Sequence, residues 1–507
     1  MWRSDSALSD GNDHAVDLVG GYYDAGNYLK FTLPLAHSIG LLSWGALEWW
    51  EGYVKANQCE HLLETIQWGT DWLMKAHPQK DVLYVQVGNG EIDNGPDQHI
   101  PTPRPSYCVN ATSPGTDVVA MAASALASAA LVFRKMADQQ VYADELVSHA
   151  IALYDFAEKA QPWQIYTKAV AEAKEMYPTD NYTSQLVYGA LWLYRVTNQT
   201  HYLHKASYYF DLFDLALSKT QPKELAPMDW SDPTGAVYLL GAQLDPTKPR
   251  YQRSAETYLD RLLLIDKESN NNNNSSSSST TTTTTTTTTT KMKTCQRTDD
   301  GLLWCGNYSR SNSLVIAQNM AFLALIYSER LDPLKKPYRT FALQQLDYLL
   351  GKNRMLTPYV VGIHANSPQN PHHAGASGGH DLVHMESSPP QERHVLYGAV
   401  VGGPGKDDLF YDEREDWAQS EVALDYNAPF QGLVAFQLCQ DTAMVTDPPY
   451  VSIHAPRPAF GRPTPPPPTT TTSPSSTLPT WTLVLLVLSA LSLLSTIFAL
   501  VYFFEKN

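Results

Sequence analysis

The chain of 507 residues is 43% hydrophobic and 17% charged, enough apolar material for one very large core or for roughly two to four ordinary domains. Asp plus Glu number 52 against 36 Lys plus Arg, a net charge of −16. No basic run interrupts that balance, which excludes nucleic-acid binding as a main function. The five cysteines, Cys59, Cys108, Cys295, Cys305 and Cys439, contain no CxxC pair, so neither a zinc site nor a disulfide scaffold is expected.

Taken from the start, Met1 leads straight into Trp2-Arg3-Ser4-Asp5 without an apolar leader. Because the far end of the chain reads as a surface anchor, the expectation is a sequence cut short. Next comes Gly20-Gly21-Tyr22-Tyr23-Asp24-Ala25-Gly26-Asn27-Tyr28, a tight loop that presents a carboxylate beside aromatic faces. An Asx turn capping the following helix accounts for it equally well. Apolar residues then recur at helical spacing over 35–54, 60–76, 117–135, 142–161, 183–197, 203–218, 234–244, 251–266, 313–330, 339–350 and 422–440. The helix over 339–350 should end at Gly351 in a left-handed cap. Eleven helices with little strand signal predict an all-α body over 1–445, large enough to favour a closed helical toroid over a bundle. The Asn/Ser/Thr homopolymer of 270–290 has no apolar period and should be a disordered insert.

Six of the fifteen histidines fall within 364–394, including His372 and His373. No HExxH and no helical i, i+4 pair accompanies them, so no metal is expected, and neutral imidazoles suit recognition of sugar hydroxyls better. The segment from Asp412 through Glu421 to Asp425 and Tyr426 packs carboxylates before a helix. A carboxylate beside an Arg stays ionised while one against aromatic rings is pushed toward its protonated form, and that contrast suits an acid/base pair. A solvated acidic loop is the plainer alternative. After the body, 446–480 reads as a Pro/Thr/Ser-rich stalk, and Trp481–Phe504 is an uncharged stretch of 24 residues. A helix of that length spans the ~30 Å hydrocarbon layer. A single-pass anchor holding the body at the cell surface is predicted, with exchange for a lipid anchor as the other reading. The sequons at Asn110, Asn181, Asn198 and Asn307 agree with a lumenal route.

Several motifs occur in order: Trp2-Arg3-Ser4-Asp5, Tyr23-Asp24-Ala25-Gly26, Thr102-Pro103-Arg104-Pro105, Pro114-Gly115-Thr116-Asp117 and Leu191-Trp192-Leu193-Tyr194-Arg195. They continue with Pro371-His372-His373, Tyr397 through Pro404, and Glu421 through Phe430. Together, from Trp2 to about Gln440, the chain resembles glycoside hydrolase family 9, the endo-β-1,4-glucanases. The resemblance implies an (α/α)6 barrel of twelve helices, so that eleven fit if the first is missing. It implies an inverting hydrolysis of internal β-1,4-glucosidic bonds in cellulose or related β-glucans, with no cofactor and a monomeric enzyme. Glu421 matches the general acid, Asp24 the first Asp of the catalytic loop, and Asp412 the Asp nine positions before the acid. His372, His373, Tyr426 and Tyr23 match the lining of the cleft.

The departures from the family pattern concern activity and leave the fold intact. The second loop Asp, the main base, is Asn27, and an amide takes no proton at neutral pH. Asn94, Ala374 and Val315 stand where the family carries His, Arg and Arg, and Ser311 stands at a Trp. Ser184-Gln185 replaces an Asp-Glu pair that helps bind calcium in some members, so no calcium is expected there. Two functions follow: a glucanase that works weakly or uses Asp24 as a substitute base, and a non-catalytic protein that binds glucan on the same fold.

Overall fold

The computed structural model describes residues 4–93, 99–218, 225–265, 295–380, 384, 386–440 and 447–460. The insert over 270–290, Asn94 and the apolar segment 481–504 lie outside the described residues.

Every helix expected from the sequence is present, with ends displaced by a few residues. In chain order these are α1 (Thr32–Lys55), α2 (Cys59–Ala76), α3 (Thr116–Phe133), α4 (Gln140–Lys159), α5 (Thr183–Thr197) and α6 (Thr200–Leu212). There follow α7 (Thr234–Leu244), α8 (Pro249–Leu263), α9 (Ser313–Arg330), α10 (Lys336–Leu349), the single turns α11 (Ala374–Ser377) and α12 (Trp417–Ser420), and α13 (Leu424–Cys439). Gly351, at φ 111°, stands just past α10 as its composition predicted.

Six helices close a ring: α1 packs on α3, α3 on α5, α5 on α7, α7 on α9, α9 on α13, and α13 returns to α1. Around them stand α2, α4, α8 and α10, each against the inner helices on either side of it in the chain, and α6, which packs on α5 and meets α7 through the Phe210–Tyr238 ring pair. Sequence dictates the layer. Inner α3 reads TDVVAMAASALASAALVF and is buried on nearly every side, since a helix ringed by neighbours has no polar face to keep. It is long and apolar enough to cross a bilayer, but here it is core. Outer α8 buries Tyr251, Ala255, Tyr258 and Leu262 and turns Gln252, Arg253 and Arg261 outward. Between α1 and α13 no outer helix stands among the described residues, and an apolar groove lined by Tyr53, Leu62, Phe430, Val434 and Leu438 takes its place.

All inner helices start at the same rim. At the opposite rim the inner-to-outer connections are two to six residues long, whereas the returns to the starting rim are long and carry the motifs. That rim also holds what the sequence reading lacked. A three-stranded antiparallel sheet joins β1 (Lys30–Phe31), β2 (Val82–Val87) and β3 (Ser106–Asn110). A hairpin of β4 (Gln296–Arg297) and β5 (Leu303–Trp304) is flanked by a disulfide between Cys295 and Cys305. The strands are too short for a period-2 signal to stand out among helices.

The body also runs past its expected end at 445, because the segment up to Phe460 belongs to it. Residues 447–460 lie on the barrel as a strap, in which Ala455 accepts a hydrogen bond from Asn366 Nδ2 (3.0 Å) and Arg457 pairs with Asp412. Proline-rich composition suggested a stalk from 446, but Ile453 and Arg457 in this stretch pack against the barrel.

Candidate active site

The loop that carries Asp24 is pinned from beneath by a buried ion cluster. Asp10 binds Lys30 (2.7 Å) and Arg104 (2.7 Å) with all three side chains nearly sealed from water. Lys30 also donates to the carbonyl oxygens of Gly20 (2.6 Å) and Leu18 (3.1 Å), and Arg104 donates to that of Tyr28 (2.8 Å). Removing one member of such a cluster strands a charge, so the loop is held rigidly on both sides of Asp24. This accounts for the Thr102-Pro103-Arg104-Pro105 motif. Thr32, opening α1, donates to Tyr84 O (2.7 Å) and ties the inner helix to β2.

Above this base the rim segments converge. The N–H of Gly26 donates to Glu421 Oε1 (3.2 Å), and the N–H of Ala374 donates to Gly26 O (2.7 Å). Leu424 N donates to Asp24 O (3.0 Å), and His372 N to Ser420 O (3.0 Å). A Cβ at position 26 would lie 2.6 Å from His372 O, 2.8 Å from its ring and 3.1 Å from Glu421 Oε1, so only glycine fits. Asp24, Asp425 and Tyr426 are buried, and Glu421 is half-buried. Burial pushes the Asp24 carboxyl up to about 7, opposed by a hydrogen bond from the Tyr177 hydroxyl and reinforced by the charge of Glu421. Burial also pushes Glu421 up to about 7, with the Gly26 N–H opposing and Asp425 reinforcing. Asp425 is raised well above the ordinary carboxyl range by burial and by the charge of Asp24. Asp24 Oδ1 is buried without a hydrogen-bond partner. Carboxyls poised between their two protonation states near neutral pH can exchange a proton with a reacting group in either direction.

Of the other residues singled out in the sequence, His372 belongs to this cluster. Its Nδ1 hydrogen-bonds Arg414 O (2.8 Å), and burial lowers its pKa, which keeps the ring neutral. Asn27 is half-buried at the loop apex, and its Oδ1 accepts from Leu29 N (3.2 Å). His373, expected in the cleft lining, caps α11 by accepting from Ala376 N (3.1 Å). Tyr23, expected there too, is drawn into the ion cluster: its hydroxyl meets Ser6 Oγ (2.8 Å) and its ring lies edge-on to Tyr28 (5.3 Å). Asp412, expected among the catalytic carboxylates, accepts from the N–H groups of Gln369 and Asn370 and from Arg457, so both its oxygens are committed to the frame. Tyr177 and Asp425 went unrecognised as site residues. Nothing near Tyr177 in sequence carries chemistry, and only the fold brings it to Asp24.

Ser184 Oγ donates to Asp232 Oδ1 (3.1 Å) and Gln185 Nε2 to Ser231 O (2.7 Å), so two neutral side chains tie α5 to the segment that leads into α7. Among the described residues no group of three or more His, Cys, Asp or Glu side chains is placed to hold a metal ion.

Known proteins resemble this chain in sequence and fold. The family model for glycosyl hydrolase family 9 matches residues 1–434. Endoglucanase A of Bacillus pumilus is 35% identical over 442 residues, which is 86% of this chain and 62% of that protein. Endoglucanase 5 of Oryza sativa subsp. japonica is 31% identical over 470 residues, covering 85% of this chain and 84% of the relative. The chain thus spans less than two thirds of the Bacillus protein. Among solved structures, the endoglucanase of the termite Nasutitermes takasagoensis superposes with a TM-score of 0.73 at 32% identity, covering 87% of this chain and 92% of that one. Endoglucanase CelQ of Clostridium thermocellum, complexed with cellotriose, gives 0.71 at 28% identity, covering 91% and 68%.

Proposed function

Since the chain belongs to glycosyl hydrolase family 9, we propose that it hydrolyses internal β-1,4-glucosidic bonds of cellulose or a related β-glucan with inversion at the anomeric carbon. The observation that carries this reading is the pair Asp24 and Glu421, one buried and one half-buried carboxyl, both raised to about 7, with Glu421 tied through the Gly26 N–H to the loop that carries Asp24. Glu421 in its protonated form donates to the leaving glycosidic oxygen. Asp24 in its ionised form, with Oδ1 unpaired, takes the proton of a water that attacks the opposite face of the sugar. Asn27 orients that water without deprotonating it, so turnover is slow for the fold. Asp412 is assigned to holding the loop and not to proton transfer. The endoglucanase CelQ has been solved with cellotriose, and the same ligand class is proposed here.

The protein is further proposed to act as a monomer at the cell surface, with Trp481–Phe504 as a membrane-spanning anchor. The Cys295–Cys305 disulfide supports an oxidising compartment. The stereochemical claim is tested by proton NMR of cellotetraose hydrolysis. Inversion gives the α-anomer as the first product, whereas first appearance of the β-anomer would contradict it.

A further inference from the structure

Asp412 has φ 51°, a left-handed backbone that a non-glycine residue holds only when its surroundings impose it. Its carboxylate accepts the N–H of Gln369 on both oxygens (3.1 and 3.0 Å) and the N–H of Asn370 on Oδ1 (3.1 Å). Asn370 Nδ2 returns a bond to Asp412 O (3.1 Å). Pro371 follows, then His372, which is bridged to Glu421 in parallel and touches the space that only a glycine at 26 leaves open. The turn that sets His372 against the acid is therefore built on one carboxylate.

That carboxylate is 2% exposed, and the cation that balances it comes from outside the barrel helices. Arg457 on the strap donates to Asp412 Oδ2 (2.7 Å), with its guanidinium 5.9 Å from the Phe410 ring centroid. The strap is itself seated at two further points: Ala455 O holds Asn366, and Ile453 packs so closely on Gly351 that a Cβ there would lie 2.7 Å from it. Arg457 also lies beyond the residues 1–434 that the family model matches.

We infer that Arg457 is a positioning residue for the reaction, acting through Asp412 and the Gln369–Asn370 turn to hold His372 against Glu421 and Gly26. The strap is thus a working part of the rim, and whatever displaces it loosens the acid side of the cleft. Neutralising the cation leaves a nearly sealed carboxylate opposite two N–H groups alone, and the turn gains freedom. A misplacement of about 1 Å near reacting groups is enough to cost up to ~10²-fold in rate.

The inference rests on the glucanase reading for its consequence in rate but not for its structural content, and the test separates the two. The full-length chain is compared with Arg457→Met and Arg457→Lys by amide hydrogen exchange at Gln369 and Asn370, by thermal denaturation, and by cellotetraose hydrolysis. Exchange at both amides should accelerate about tenfold or more in Arg457→Met and return toward the parent value in Arg457→Lys. Turnover should fall by about tenfold in Arg457→Met with KM within about twofold, a split that global destabilisation does not produce. Added guanidinium at millimolar concentration should restore part of the rate. Unchanged exchange at both amides in Arg457→Met overturns the inference, whatever the rates show. An equal loss in Arg457→Lys together with a matching fall in Tm overturns it too, since that marks a fold effect. A parent chain that neither binds nor cleaves cellotetraose, with the exchange difference intact, supports the positioning role and contradicts the glucanase reading instead.

Discussion

Replacing Asn27 by Asp probes the weakest point of the proposed chemistry. The change is isosteric, and one carboxylate oxygen preserves the bond that Asn27 Oδ1 accepts from Leu29 N at 3.2 Å, so the loop has no reason to move. General-base catalysis contributes ~10²–10⁴-fold. At 1.36 kcal/mol per decade that is about 3–5 kcal/mol of barrier. The whole amount is not recovered, because the new carboxylate joins Asp24, Glu421 and Asp425, whose carboxyls are already pushed up by burial and by one another. A further negative charge there is partly protonated at pH 7, which leaves an expected gain of about tenfold that grows as pH rises. Initial rates of reducing-end release from soluble β-glucan measure it. The gain should appear in kcat more than in KM and should vanish when Glu421→Gln is added, since both groups serve one displacement. Unchanged turnover with cellotetraose binding intact would refute the reasoning. Val315 and Ala374, both buried and apolar where the family carries Arg, would then mark a cleft rebuilt for binding alone.

Three further outcomes follow from the same geometry. Tyr177→Phe removes the hydroxyl that favours ionised Asp24, so the carboxyl rises and the acidic limb of the kcat/KM profile should move to higher pH; a profile displaced the other way would contradict the assigned base. Asp24, Asp117, Glu392 and Glu421 are raised to about 7, and Asp93 and Asp229 to about 6, so the folded chain holds protons that the unfolded chain releases. Stability from these groups is complete below their ordinary pKa values and declines as pH rises toward the folded ones; Tm should therefore fall between about pH 4 and pH 7, and a rising Tm would show the burial effect to be offset. Cutting the chain after Phe460 removes the stalk and apolar segment while keeping the strap, and behind a secretion signal it should give a soluble, folded body. Recovery only with membranes would contradict the anchor, and release of the full-length protein by a phosphatidylinositol-specific phospholipase would favour the lipid form.

The sequence revealed most of the helices because inner and outer positions impose different patterns. The Val118–Leu126 stretch, apolar but for Ser124, and the striped 251–262 stretch are both helical, yet only the first can stand inside a ring. Asp24, Glu421, His372 and Tyr426 were legible because the motifs around them are short and contiguous. Tyr177 and Arg457 were not, since each acts on a residue far off in sequence: Tyr177 on Asp24 and Arg457 on Asp412. Asp412 shows the converse failure. Its place in an acidic run beside Glu421 suggested proton transfer, but a carboxylate's role depends on where its lone pairs go, and these go to Gln369, Asn370 and Arg457. Tyr23 was misplaced for a like reason: an aromatic beside a catalytic Asp reads as a stacking surface until a buried Lys30–Asp10–Arg104 cluster is found beneath it.

The most direct measurement compares reducing-end release from soluble β-1,4-glucan by the purified protein and by Glu421→Gln. Glutamine keeps an acceptor for the Gly26 N–H but has no acidic proton to give to the leaving oxygen. The account predicts slow but measurable release by the parent chain and a loss of about 10²-fold or more in the variant, with glucan affinity retained. Equal rates in the two proteins, or no release by either while both bind glucan, would contradict it.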